Sequence, residues 1–156
     1  MQKKSLFLGL IISLLSTIHL PAKAQTCTAL PLVGGKGTEV DKTITTPSIP
    51  GPFGIQIAGS NWNTDWSVPN TQRFNSYKAR IISDKGGTFS IKMYFKYSDD
   101  TSDPFYEQSD LKLAAKEPLE VESTIRRTDQ PYQVNIFVGG VKSIGNQYKA
   151  VVYGCQ

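Results

Sequence analysis

The sequence predicts an all-β protein: a single antiparallel β-sandwich, immunoglobulin-like or jelly-roll-like, with adjacent N- and C-terminal strands. The first observation is a period-two alternation of apolar and polar residues over many short segments, which is typical of half-buried strands. The second is that Gly, Pro, Asn, Asp and Ser separate these segments, as they do at turns. The third is a pair of cysteines near the two ends, because a disulfide between them would join the first and last strands.

The clearest alternation covers residues 88–98, where one predicted face holds only apolar and aromatic residues: Phe89, Ile91, Met93, Phe95 and Tyr97. Residues 77–81 alternate in the same way, and Ser83–Gly87 between the two segments contains residues that tolerate positive φ. These two strands are therefore predicted to form a β-hairpin. The other predicted strands lie at residues 40–44 (at a sheet edge), 53–57, 111–113 (or one helical turn), 119–125, 134–138 and 148–152.

The first 24 residues have the pattern of a cleaved secretory signal peptide. Lys3 and Lys4 precede an apolar run over Leu6–Leu15, which is too short to cross roughly 30 Å of hydrocarbon comfortably as an anchor. A small-x-small motif then ends at Ala24, so we predict cleavage between Ala24 and Gln25. Residues 25–156 would form one β-sandwich domain, exported to the periplasm or the extracellular space and without a membrane contact after cleavage.

Loss of this segment would remove most of the net positive charge and the single imidazole of the chain. Lys3, Lys4 and Lys23 would leave with it, which reduces the 17 basic residues to 14 against 13 acidic ones, so nucleic acid is not a predicted partner. The single histidine, His19, would leave as well. The mature chain then has no imidazole for a catalytic triad or for general base catalysis near neutral pH.

Cys27 and Cys155 are predicted to form a structural disulfide. They are the only cysteines in the chain, and a disulfide is the usual state of such a pair in an exported protein. A redox-active or metal-binding pair would need the two residues close together in sequence or joined by further ligands. We therefore interpret the pair as a covalent link between the two ends of the domain.

The segment "NWNTDWSVPN" at residues 61–70 contains both tryptophans and supports two hypotheses. In an extended strand Trp62 and Trp66 share a face, so both could pack into the core of the sandwich. Alternatively, exposed indole rings beside Asp65 could bind a sugar, because apolar sugar faces stack on indole and carboxylates bind hydroxyl groups. The candidate ligand-binding residues are Trp62, Asp65 and Trp66.

The acidic segment over residues 97–107 is a candidate calcium site. Asp99, Asp100 and Asp103 could supply carboxylate oxygens, which Ca²⁺ prefers. The spacing does not match an EF-hand, and acidic residues with Ser, Thr and Pro are also common in ordinary turns. No other cofactor is predicted.

A pair of glutamates suggests an enzymatic alternative. Glu120 and Glu122 share one face of a predicted strand, about 7 Å apart by strand rise, a separation found in glycosidase acid–base pairs. Such a spacing also occurs on any solvent-facing strand, and lysine or arginine on a neighbouring strand would neutralise the pair. The domain is also small for a catalytic cleft.

These observations predict a non-enzymatic exported domain, monomeric, that acts as a binding or structural module. Its expected partner is another protein or a polysaccharide. The alternatives are a small carboxylate-dependent glycan hydrolase and a Ca²⁺-stabilised adhesion-type module.

Overall fold

The structure, a computed structural model, describes residues 25–47, 61–125 and 128–156. The predicted signal peptide with its cleavage residue Ala24, and the strand predicted at residues 53–57, lie outside the described residues. The described part of the chain contains nine strands: Cys27–Ala29 (β1), Glu39–Thr43 (β2), Asn63–Ser67 (β3), Ser76–Ile82 (β4), Gly87–Lys96 (β5), Ser102–Leu113 (β6), Leu119–Thr124 (β7), Gln133–Gly139 (β8) and Gln147–Cys155 (β9). No helix among these residues is long and apolar enough to cross a membrane.

The strands form two sheets in which every neighbouring pair is antiparallel. The first sheet has the order β1-β9-β4-β7, and β2 also pairs with β9. β1 pairs with residues 153–155 of β9 and β2 with residues 147–151. The second sheet has the order β3-β8-β5-β6. The predicted antiparallel sandwich with adjacent first and last strands is thus confirmed.

The core lies between the sheets and consists of the apolar residues that alternate along each central strand. Side chains of the second sheet meet side chains of the first, and nearly all are fully buried: Phe89, Ile91, Met93, Phe95, Val134, Ile136 and Val138 against Tyr77, Ala79, Ile81, Tyr148, Ala150 and Val152. A strand alternates its side chains between two faces, so one face packs inward and the other remains outside. The apolar pattern of the sequence therefore identifies the inward faces.

The predicted hairpin of the segments at 77–81 and 88–98 is wrong. β4 pairs with β7 and β9, whereas β5 pairs with β6 and β8, so the turn between them crosses from one sheet to the other. The buried Ser83 hydroxyl holds this crossing, because its single hydrogen lies within reach of the carbonyl oxygens of Gln147 (2.7 Å) and Gly86 (3.2 Å). Gly86 has a positive φ of 69°, which agrees with its predicted role as a turn residue.

β6 is much longer than the strand predicted at residues 111–113. Its pairing with β5 shifts register twice, and Asp110 at one of the shifts has a positive φ of 54°. Each irregularity moves the following residues to the other side of the strand, which removes the period-two pattern. This explains why the sequence of β6 shows little alternation.

Candidate binding face

The outer face of the second sheet carries an ordered array of aromatic, amide and charged side chains. Residues paired across antiparallel strands point to the same side of a sheet, and the residues between them are buried in the core. Three rows of paired residues therefore face outward: Asn63, Phe137, Lys92 and Glu107; Asp65, Asn135, Tyr94 and Pro104; Ser67, Gln133, Lys96 and Ser102. We call these three rows, together with Trp62, the polar-aromatic face.

Trp62 lies at one end of this face, next to the first residue of β3. A Cβ atom built on Gly139 would come within 2.5–2.8 Å of three indole atoms, so the ring rests directly on the backbone of β8. The edge of the indole meets Phe137 at a centroid distance of 5.6 Å and an interplanar angle of 82°. The indole Nε1 donates to the carbonyl oxygen of Thr45 at 2.6 Å, which fixes the orientation of the ring. Trp62 remains partly exposed.

Trp66 occupies the opposite side of the same segment. Its side chain is fully buried, and its Nε1 donates to the carbonyl oxygen of Thr38 at 2.8 Å. Thr64 and Val68 are buried with it, as expected for one face of a strand. The assignment of Trp66 to an exposed ligand-binding platform is therefore wrong, because its ring is packed inside the core and its Nε1 is already hydrogen-bonded to Thr38. The expected shared face of the two tryptophans is wrong as well, since Trp62 packs on Gly139 and Phe137 at the margin of the core, whereas Trp66 lies within it.

Lys42 of β2 clamps the segment that carries Trp62. Its ammonium donates to the carbonyl oxygens of Asn61 (3.2 Å) and Asn63 (3.0 Å) and to Oγ1 of Thr64 (2.6 Å). Burial lowers the pKa of Lys42, and the negative charge of Asp65 acts in the opposite direction. These bonds tie the edge of the first sheet to the edge of the second, so the start of β3 is held on both sides.

Asp65 is the centre of a hydrogen-bond network in the middle of the face. Its Oδ1 accepts from Nδ2 of Asn135 at 2.8 Å and from the Lys96 ammonium at 3.1 Å. Partial burial acts to raise the pKa of this carboxyl, but hydrogen bonds from Asn135, Gln133 and Lys96 outweigh it, and the pKa lies below its ordinary value. Asp65 is therefore ionised at neutral pH and acts as a fixed acceptor.

The structure does not bring the three candidate calcium ligands together. Asp99 lies in the turn after β5, where its Oδ1 accepts from the hydroxyl and the backbone N–H of Thr101. Asp100 lies in the same turn with a positive φ of 63°, and Asp103 belongs to β6. Across residues 25–47, 61–125 and 128–156, no group of three or more acidic, cysteine or histidine side chains forms a metal-binding arrangement.

The two glutamates lie on the first sheet, on a face lined with basic and hydroxyl side chains. Glu120 forms ion pairs with Lys78 at 2.8 Å and Arg80 at 3.7 Å, and Glu122 accepts from the Ser76 hydroxyl at 3.0 Å. The hydrogen bond from Lys78 lowers the pKa of Glu120. A general acid at neutral pH needs a raised pKa, so this environment does not suit Glu120 for that role.

Sequence reasoning missed three prominent members of the polar-aromatic face: Tyr94, Asn135 and Phe137. Each occupies an outward position in a strand whose inward residues are plainly apolar, so the alternation already separates them from the core. Aromatic residues at outward positions are the signal that could have found Tyr94 and Phe137; Asn135, which is buried and bonded to Asp65, carries no such signal.

We predict that Gly139→Ala will displace Trp62. The added methyl group cannot fit beneath the indole, and because Trp62 is partly exposed it can swing away, at an expected cost of about 1–2 kcal/mol in the free energy of unfolding. Thermal unfolding and a red shift of the tryptophan emission check this. Gly35→Ala is the matched control, because the nearest atoms to its methyl group would belong to the Leu32 side chain, the closest at 3.3 Å. Equal behaviour of the two variants would refute the packing of Trp62 on Gly139.

The fold and this face define a β-sandwich domain that presents one outer sheet surface of aromatic and hydrogen-bonding side chains. No family model and no curated protein matches the sequence. Among solved structures, the chain is similar to single-residue variants of CBM29-2, which are described as family 29 carbohydrate-binding modules. One has a TM-score of 0.45 with 10% sequence identity over 85% of this chain and 92% of that chain. Another has a TM-score of 0.40 with 11% identity over 83% and 89%.

Proposed function

We propose that residues 25–156 form an exported, non-catalytic domain that binds a polysaccharide through the polar-aromatic face. The observation that carries the proposal is the combination of three outward aromatic side chains with a fixed hydrogen-bond network on one sheet. Trp62 and Phe137 supply apolar surface at one end, and Tyr94 stands in the next row beside Asn135. Sugars present both apolar C–H faces and hydroxyl groups, so a surface with aromatic rings and amide or carboxylate groups matches both.

The charges on the face favour an uncharged ligand. Lys96 is paired with Asp65 at 3.1 Å, and Lys92 is paired with Glu107 at 2.5 Å. Each positive charge is therefore compensated by a neighbour, which leaves hydrogen-bonding groups without a strong net field. A nucleic acid would instead need several uncompensated lysine or arginine side chains for its phosphates. Neutral glycans fit this pattern better than anionic polymers.

The environment of the glutamates supports a non-catalytic role. Glu120 is held ionised by Lys78 and lies on the other sheet from the polar-aromatic face. The carboxylate on the binding face, Asp65, has a lowered pKa and is engaged by Asn135 and Lys96. A glycosidase needs one carboxyl group that remains protonated near neutral pH, and neither residue has the environment for it.

The test is binding of the purified domain to a panel of insoluble and soluble neutral glycans, followed by titration of Trp62→Ala against the glycan that binds. We expect this variant to lose at least tenfold in affinity, about 1.4 kcal/mol, because it removes the largest ring of the face. Tyr153→Ala is the matched control, since Tyr153 is a partly exposed tyrosine on β9 of the other sheet. The proposal would be refuted if the wild-type domain bound no glycan of the panel, or if both variants lost the same affinity for the glycan that binds.

A further inference from the structure

Lys42 is a charged residue on the core-facing side of an edge strand. In β2, Val40 and Lys42 share the partly buried side, and Ile44 directly after the strand is fully buried. A lysine at such a position must place its ammonium next to polar partners, because burial of an unpaired charge is costly. The ammonium of Lys42 finds these partners on the second sheet, in the oxygens of residues 61–64.

The Lys42 ammonium takes the place of a neighbouring strand beside the start of β3. The carbonyl oxygen of Trp62 accepts from Val138 N–H at 2.8 Å, so one edge of this segment is bonded to β8. Carbonyl groups alternate in direction along an extended chain, so those of Asn61 and Asn63 point to the opposite edge. Both accept from Lys42, at 3.2 and 3.0 Å. The backbone around Trp62 is therefore held from both edges.

A second set of hydrogen bonds joins residues 43–45 to Asn61 and Trp62. The Asn61 side chain donates through Nδ2 to the carbonyl oxygen of Thr43 at 2.8 Å. Its Oδ1 accepts from the backbone N–H and the hydroxyl of Thr45, each at 3.2 Å. The carbonyl oxygen of Thr45 accepts in turn from Trp62 Nε1 at 2.6 Å. We call these contacts, together with those of Lys42, the β2–β3 clamp.

The clamp acts on the orientation of Trp62 and has little capacity to bind a ligand itself. An ammonium group has three N–H donors, and that of Lys42 has three protein acceptors within 3.2 Å. The indole of Trp62 is held by Thr45 and rests on Gly139 of the second sheet. A ring that is already fixed loses little conformational entropy when it binds a sugar.

We propose that the β2–β3 clamp positions Trp62 for glycan binding, with Lys42 and Asn61 as positioning residues that do not touch the ligand. This inference rests on the proposed function and adds that the binding surface of the second sheet depends on the edge of the first. When the clamp is opened, Trp62 keeps its ring but loses its fixed orientation, so the affinity for the glycan falls. Removal of the ring removes what the clamp acts on, so the two effects do not add.

The experiment measures the affinity of Lys42→Met and Asn61→Ala for the glycan that the wild-type domain binds, by electrophoresis in gels that contain this glycan. We expect each variant to lose about fivefold in affinity, and to lose nothing further when it is combined with Trp62→Ala. Lys42→Arg should keep most of the affinity, because it retains a charged donor at the same position. Lys149→Met is the matched control, since Lys149 is a partly exposed lysine on β9 of the same sheet.

A second measurement needs no ligand. In the Trp66→Phe background Trp62 is the only indole, and both clamp variants should shift its emission to the red and increase its quenching by acrylamide. Lys149→Met in that background should leave the emission unchanged. Far-ultraviolet circular dichroism confirms that each variant is folded. Asn61→Ala keeps the test decisive if Lys42→Met does not fold, because the hydrogen bonds that it removes are exposed.

The outcomes separate the two proposals. Wild-type affinity in both clamp variants, or losses that add fully to that of Trp62→Ala, overturns the positioning role, while Trp62-dependent binding leaves the proposed function standing. Unchanged Trp62 emission in both variants also overturns it, because the ring would then keep its place without the clamp. A wild-type domain that binds no glycan overturns the proposed function and, with it, the role of the clamp in binding.

Discussion

Reduction of the Cys27–Cys155 disulfide is expected to lower the free energy of unfolding by about 5 kcal/mol. The two residues are direct partners in the pairing of β1 with β9, and their Cα atoms are 4.1 Å apart. They lie 128 positions apart in the chain, so the bond closes nearly the whole described domain into one loop. In the chain-entropy model a loop of this length restricts the unfolded chain strongly, which gives the stated magnitude. Domains of this size are stable by only about 5–15 kcal/mol in total.

The measurement is thermal and denaturant unfolding of the domain with and without a reductant, with the free thiols counted in each sample. We expect the melting temperature to fall on the order of 15 °C. The double variant Cys27→Ala with Cys155→Ala is the matched control, because Cys155 is fully buried and alanine avoids placing a new polar group there. Unchanged unfolding in a sample with two titratable thiols would contradict a major stabilising role for the bond.

The bond also determines what happens locally at the start of the chain. β1 has three residues and pairs only with the end of β9, so it has few contacts of its own to hold it in the sheet. In the oxidised protein the covalent link adds to the backbone pairing that keeps β1 beside β9. In the reduced protein β1 should fray first, because a short edge strand loses little buried area when it leaves.

The sequence predicts well which side chains of a strand face the core, and it predicts poorly which strands pair with each other. In β5 every second residue from Phe89 to Phe95 is fully buried, as the alternation predicts, because a side chain on a pleated strand has only two directions available. Which strand lies alongside is determined by tertiary packing that the local pattern does not contain. The wrong hairpin between β4 and β5 follows from this: the two strands face each other across the core and do not share an edge.

The same distinction applies to the candidate binding face. Asp65 occupies the outward face that its place in the alternation implies, and Trp66 occupies the inward face. Trp62 does not follow the pattern, because it precedes the first paired residue of β3 and packs on the space left by Gly139. That space is created by a residue 77 positions later in the chain, so no local pattern could indicate it.

Trp66→Ala is expected to destabilise the domain by about 3–5 kcal/mol. The substitution leaves a large cavity between the sheets, since Trp66 is fully buried, and removal of a buried tryptophan typically has a cost of this size. It also leaves the carbonyl oxygen of Thr38 without the indole donor now 2.8 Å away. Denaturant unfolding measures the loss, and Trp66→Phe should recover part of it, because phenylalanine fills most of the volume but cannot donate.

The two tryptophans provide their own internal comparison, because the chain contains no others. Trp62→Phe leaves Trp66 as the only indole, and its emission should be blue-shifted and protected from acrylamide. Trp66→Phe leaves Trp62, whose emission should lie further to the red and be quenched more strongly, since Trp62 is partly exposed. Trp62→Ala should lower the free energy of unfolding clearly less than Trp66→Ala, because a partly exposed side chain gains less on burial than a fully buried one.

If the two alanine variants were equally unstable, or if the residual emission in Trp62→Phe were readily quenched, Trp66 could not be the buried member of the pair. The assignment of Trp66 to the core and of Trp62 to the polar-aromatic face would then be wrong.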